Sequence, residues 1–242
     1  MSLEIEPYET DKSKIKLTPN MKNNIICKPP CAMYLCGQTG AGKTQLLLNL
    51  MKKEQFYKDY FDDVYLISAT AKEGDDLYSK HLKVKKQHIF DPEDDGLEAI
   101  EKIVASQKKI IKKMSIDKSP KVLIIFDDVA HATKLLKSKL YMKLHIMCRH
   151  WNITIITLSQ NYVSIPPRCR KQMKGIFLFN GATGTECQRL SEEHCPAGMK
   201  KKDFQSIIDH CINEQYSFIF INKFAPFKEQ IRHKLDKVLR LK

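Results

Sequence analysis

The stretch GQTGAGKT, Gly37 to Thr44, is a run of small residues closed by a lysine and a hydroxyl. Its spacing, G-x-x-x-x-G-K-[ST], is that of a loop that cradles phosphates. Gly37, Gly40 and Gly42 allow backbone geometries that side chains would obstruct, so successive N–H groups can turn inward on phosphate oxygens. Gln38, Thr39, Ala41 and Gln45 are grouped with them as nucleotide contacts. Lys43 would reach the β- and γ-phosphates and Thr44 would ligate Mg2+, at the positive end of the helix that begins there. The chemistry indicated is binding and cleavage of ATP with Mg2+. The bland alternative, a glycine-rich turn with no ligand, fits less well, because an apolar strand precedes the loop and a leucine-rich helix follows it.

A second signal is an apolar strand ending in acids. VLIIFDD provides it: Asp127 would hold the Mg2+, directly or through water, and Asp128 could orient and polarise the attacking water. The pair also reads as a loop acid followed by a helix cap. A third signal is TLSQN at 157–161, where Gln160 would sit beside Asp127, near the γ-phosphate, or simply begin a polar loop. Arginines are few among many lysines. Arg149 ends a helix just before ITIITL, and Arg168 and Arg170 lie in PPRCRKQMKG. Any of them could enter a neighbouring subunit's site and stabilise transferring charge, while Arg149 reads equally as a cation closing its own helix dipole.

These groups need elements to carry them. The chain has 242 residues, 43% of them hydrophobic, enough for one α/β domain with a full core. Short, nearly all-apolar runs occur at 32–36, 63–69, 121–126, 153–158, 175–179 and 216–221, the pattern of strands covered on both faces in a mainly parallel sheet. Helical spacing lies between them, at 43–56, 97–113, 134–150, 185–194, 201–213 and 227–241. GDDLYSK and DPEDDG read as solvated acidic loops. The expectation is a right-handed doubly wound α/β fold with a mainly parallel central sheet and helices on both faces. Residues 1–30 read as an N-terminal arm or strap, 31–200 as the core, and 201–242 as a basic extension of helix and strand packed on it.

The formal net charge is +13, which favours a polyanionic partner. The acidic, polar start is not a signal peptide, and no apolar run approaches the roughly 20 residues that cross a bilayer; a soluble protein without a membrane partner is expected. The eight cysteines are expected as reduced thiols. Cys187, His194, Cys195, His210 and Cys211 cluster loosely, without zinc-finger spacing; small buried or surface thiols are the first reading and a metal the second.

RHWNITIITLSQNYVSIPPRCRKQMKGIFLF, taken with GQTGAGKT and LIIFDDV, resembles the FtsK–HerA ATPases, most of all the genome-packaging ATPases of large double-stranded DNA viruses and virophages. The resemblance spans about residues 30–180. It implies a RecA-like P-loop NTPase that assembles into a ring, a hexamer or pentamer, and drives duplex DNA of any sequence into a preformed capsid. It also implies contact with capsid vertex proteins and a place in the host cytoplasm, in virus factories, or in the virion. Lys43, Thr44, Asp127, Asp128 and Gln160 match the family's nucleotide and sensor positions, and Arg149 matches the arginine offered to a neighbour. Three readings compete. A small-molecule P-loop kinase would need an arginine-rich lid, which this arginine-poor chain lacks. A non-catalytic nucleic-acid binder would not need paired acids and Gln160. A helicase of similar core differs in separating strands rather than translocating duplex.

Overall fold

The apolar runs become strands buried on both faces, as their lack of alternation requires. The computed structural model describes residues 17–74, 77–82 and 84–239. Among these, β1 (Ala32–Cys36), β2 (Asp63–Ile67), β3 (Ile89–Phe90), β4 (Val122–Asp127), β5 (Ile153–Ser159), β6 (Gly175–Phe179), β7 (Phe218–Asn222), β8 (Ile231–His233) and β9 (Lys237–Val238) form one sheet. The spatial order is β3-β2-β4-β5-β1-β6-β7-β8-β9. From β3 to β6 all neighbours run parallel; from β6 to β9 they run antiparallel.

The helices are α1 (Pro19–Lys22), α2 (Lys43–Lys52), α3 (Ala69–Lys72), α4 (Leu77–Leu82), α5 (Gly96–Met114), α6 (Thr133–Lys137), α7 (Lys139–Met147), α8 (Pro167–Arg170), α9 (Gly184–His194) and α10 (Lys201–Cys211). Strand side chains alternate between faces, so the two cores separate by parity. Met33 and Leu35 of β1 and Leu123 and Ile125 of β4 pack with Leu47 and Leu50 of α2 and Tyr78 of α4. Tyr34, Cys36, Ile124 and Phe126 pack on the other side with α5, α7, α9 and α10. Helices thus cover both faces. In α5, Ala99, Ile100, Ile103 and Val104 are buried at helical spacing, while Lys102, Lys108, Lys109 and Lys113 remain exposed.

Three readings of local structure are corrected. The helical pattern over 134–150 is broken at Ser138, whose backbone is extended and whose Oγ accepts the Tyr141 N–H at 3.0 Å, capping α7. Over the described part of the pattern at 227–241, residues 227–239, no α-helix forms: a single 3-10 turn at Phe227–Glu229 leads into β8 and β9. The open edge of β7 takes this segment, with Ile221 opposite Ile231 and Ile219 opposite His233, so pairing overrides the local period. GDDLYSK is not wholly a solvated loop: from Leu77 it is helical, and Tyr78 is 1% exposed.

Within the segment read as an arm, residues 1–16 lie outside the described residues, and from Leu17 the chain is packed. Met21, Ile26 and Cys27 are buried in the core shared with α2. The Asn222 side-chain amide donates to Asn24 O at 2.8 Å.

Candidate functional site

The phosphate loop joins β1 to α2 at the C-terminal edge of the parallel strands. The Gly37 N–H donates to Ser159 O at 3.1 Å, pinning the start of the loop to β5. A Cβ at Gly37 would lie 2.6 Å from the Phe179 Cβ, so only glycine lets the loop leave β1 against β6. Gly42 precedes α2 with φ of +101°, a region that favours glycine. No side chain caps that helix end, so its first N–H groups face the loop and suit an anion. Gln38, Thr39 and Gly40 are exposed, as is Gln45 on the first turn, while Ala41 is buried beneath.

Lys43 folds back over the loop, its Nζ donating to Gly37 O at 2.7 Å and Gln38 O at 3.0 Å. Burial pushes its ammonium below the ordinary lysine value, while Cys36 and the carboxylates of Asp127 and Asp128 pull it back up. The same electrostatics place both acids within reach of the lysine's charge.

The sheet order explains why they meet. β5 lies between β1 and β4, and all three strands end on the same edge. Asp127 has the parity of Leu123 and Ile125, hence it falls on the α2 face, where Thr44 lies in the first turn of that helix. It accepts a hydrogen bond from the Tyr78 hydroxyl at 2.6 Å. Asp128 turns out of the strand in the left-handed region, φ +52°, which aspartate tolerates better than most residues. Its N–H donates to Leu158 O at 3.2 Å. Gln160 was expected beside Asp127. Its Nε2 instead donates to Asp128 Oδ2 at 2.8 Å, because the residue in register with Asp127 is Leu158 and the two acids diverge. Thr44 and Asp127 offer hard oxygen donors on one face, a set that suits Mg2+.

The arginines fall in three different surroundings. Arg149 is exposed at the opposite end of β5 from Gln160, about 20 Å away over a strand of this length. Arg168 is exposed on α8. Arg170 is buried: its Nε and Nη2 grip Glu193 at 2.9 and 2.5 Å, and its Nη1 donates to Ile165 O. It is therefore enclosed within its own chain and does not reach a neighbour's site.

Sequence reasoning missed several supports. Tyr78 was hidden in an acidic run, with only its aromatic character as a signal. Gln38 Nε2 donates to Gly181 O at 2.7 Å, tying the phosphate loop to the loop after β6. Thr183 and Glu186 form a capping box on α9, and Glu186 also accepts the Tyr162 N–H at 2.7 Å, which anchors the segment after Gln160. That box was readable as T-x-x-E. The cluster Cys187, His194, Cys195, His210 and Cys211 is not gathered into a group of three or more ligands among the described residues. His194 is buried and pushed down to about 3, chiefly by that burial. No helix among the described residues is long and apolar enough to cross a membrane.

The mainly parallel sheet, with the glycine loop between β1 and α2, is the fold of the P-loop NTPases. Residues 19–231 match the family described as Poxvirus A32 protein, and the chain belongs to that family. It is similar to uncharacterized protein 075L of Invertebrate iridescent virus 6, at 23% identity over 80% of this chain and 70% of that one. Among solved structures it is similar to the genome packaging NTPase B204 of Sulfolobus turreted icosahedral virus 2 in complex with sulfate. That TM-score is 0.59 at 17% identity, over 88% of this chain and 100% of the other. B204 of Sulfolobus turreted icosahedral virus, described as a DNA-packaging ATPase, gives 0.57 at 17%, over 84% and 96%. At these identities the likeness to the solved structures is one of fold.

Proposed function

We propose that this chain is a viral genome-packaging ATPase, hydrolysing ATP with Mg2+ to drive double-stranded DNA into a capsid. What carries the reading is the convergence of Lys43, Asp127, Asp128 and Gln160 on one sheet edge in a chain of the Poxvirus A32 family. In this reading the loop N–H groups from Gly37 to Thr44 grip the triphosphate, and Lys43 leaves the carbonyls of Gly37 and Gln38 for the β- and γ-oxygens. Thr44 and Asp127 hold Mg2+, which neutralises developing phosphate charge when bound. Tyr78 fixes the Asp127 carboxylate. Asp128 accepts a proton from, or orients, the attacking water, and Gln160 holds Asp128 in place and senses the γ-phosphate.

Residues 31–200 would form the motor core, with 201–242 as an extension packed on it and the N-terminal segment as a strap. Assembly into a hexameric or pentameric ring would bring Arg149 to a neighbour's nucleotide. Lysines facing a central channel would hold phosphates without reading sequence, as a charge of +13 allows. The ring would dock on capsid vertex proteins in virus factories. The test is ATP turnover measured with and without Mg2+ and duplex DNA, beside the particle mass. Mg2+-dependent turnover that rises with duplex supports the reading. Turnover indifferent to DNA, with phosphate passed to a nucleoside or nucleotide, would replace it with a kinase.

A further inference from the structure

The acids fix which way a nucleotide must lie. Asp127, Asp128 and Gln160 stand on the β4–β5 side of β1, so the γ-phosphate end points there. The ribose and base must then leave the loop on the other side, over β6 and β7. Because β7 is antiparallel to β6, its first residues lie at the same edge as the loop, with Phe218 opposite Phe179. The residue that this turn delivers is Tyr216. It is 59% exposed, one of the most exposed large aromatic side chains among the described residues. A Cβ added to Gly42 would lie 3.5 Å from its Cδ1, so the ring stands directly beside the phosphate loop.

Its placement is enforced from below. Tyr216 has φ of +58°, uncommon for a bulky residue. Ser217 beside it is fully buried, its Oγ donating to Cys211 O at 2.6 Å and lying 2.7 Å from His233 Nε2. The Ser217 carbonyl also accepts the Asn180 N–H at 2.9 Å. With Ser217 locked inward, Tyr216 is held outward in a backbone conformation that a solvated loop would have no reason to keep. An apolar ring kept in water beside a phosphate cradle, on the side where the base must emerge, has the form of a stacking surface.

We propose that Tyr216 is the platform on which the nucleobase of the bound nucleotide stacks. The inference rests on the reading that the loop binds ATP. It is specific to the base, so inorganic tripolyphosphate, which has none, serves as the control ligand. Titration calorimetry of the full chain with Mg2+ compares ATP and tripolyphosphate in the wild type, Tyr216→Asn and Tyr216→Trp. Asparagine tolerates the left-handed backbone while removing the ring. Alanine replacement of a stacked aromatic weakens base binding by roughly 5- to 150-fold. Tyr216→Asn is expected to weaken ATP binding by about tenfold and leave tripolyphosphate unchanged, with Tyr216→Trp restoring ATP. Unchanged ATP affinity in Tyr216→Asn overturns the inference. Equal weakening of both ligands also overturns it, since Tyr216 would then only brace the loop. A wild type that binds neither ligand removes the ATPase reading itself, and this inference with it.

Discussion

Replacing Arg170 by methionine tests whether that arginine is structural. Its guanidinium makes two bonds to Glu193, at 2.9 and 2.5 Å, and one to Ile165 O, with the ring of Tyr162 4.9 Å from its centre. The side chains are 4% and 10% exposed. Methionine keeps much of the volume but leaves Glu193 with the Tyr162 hydroxyl at 2.9 Å as its remaining strong donor. Removing one partner of a buried pair costs about 3–5 kcal/mol. At roughly 2–4 °C per kcal/mol for a domain of this size, Tm should fall by about 6–20 °C in scanning calorimetry. The double variant Arg170→Met, Glu193→Leu should recover much of that loss, because no buried charge remains. The effect should also depend on pH. Burial alone would raise the Glu193 carboxyl, but the hydrogen bonds from Arg170 and Tyr162 and the charge of Arg170 hold it below the ordinary value of 4.5. A depressed acid stabilises above its unfolded value and loses that contribution as pH falls through the folded one. The gap between wild type and Arg170→Met should therefore be widest at neutral pH and narrow on acidification, as the unpaired Glu193 of the variant, and then the paired one of the wild type, takes up a proton. A Tm within about 2 °C of wild type would refute the structural role. So would a stable but inactive Arg170→Met rescued by mixing with Lys43→Ala subunits, since Arg170 would then serve a neighbour.

Lys43→Ala should abolish ATP binding or turnover, read by nucleotide titration and phosphate release, because Lys43 closes the cradle. Asp128→Asn should bind ATP but fail to cleave it in single-turnover assays, losing on the order of 10²-fold or more in rate. Arg149→Ala should be inactive alone yet partly active in mixtures with Lys43→Ala. Absence of rescue in mixtures shown by mass to be assembled would leave Arg149 as a helix-end cation. His145 is buried and held neutral, pushed down to about 4 mainly by that burial despite its bond to Tyr141 O. The unfolded chain takes up its proton first, so stability should fall as pH drops from about 6.5 toward 4, by up to ~1.4 kcal/mol per unit. His145→Gln should flatten that slope in denaturant titrations.

The half of the fold around the glycine loop was legible because its signals are local. A glycine loop between an apolar strand and a helix, and a strand ending in Asp127 and Asp128, state their own geometry. The partner of Gln160 was not legible, since whether its amide meets Asp127 or Asp128 depends on a single left-handed residue at the end of β4. Tyr78 was missed for a related reason: the six-residue α4 has too few apolar positions to show a period, and its one buried tyrosine acquires meaning only when β4 is placed beneath it. At the other end, 227–241 carries apolar residues at helical spacing, yet Ile231 is worth more opposite Ile221 on an open sheet edge. Local period decides where no strand edge competes; here one did.

The strand order also bears on how the site is completed. Threading β5 between β1 and β4 brings Gln160 to the acids, and Arg149, in the short turn Cys148–Trp151 that leads into the strand, lies at the far edge of the sheet. The seven residues of β5 separate them by about 20 Å, more than an arginine side chain spans. No rotamer of Arg149 can therefore stabilise charge on the nucleotide in its own loop. Arg170 is enclosed by Glu193, and Lys43 is the cation already in the cradle. If cleavage requires a second mobile cation, Arg149 can supply it only from another copy of the chain. Turnover per subunit should then rise with protein concentration until assembly is complete. A rate per subunit that is independent of concentration from dilute monomer upward would show that each chain carries a complete site, and Arg149 would have no part in it.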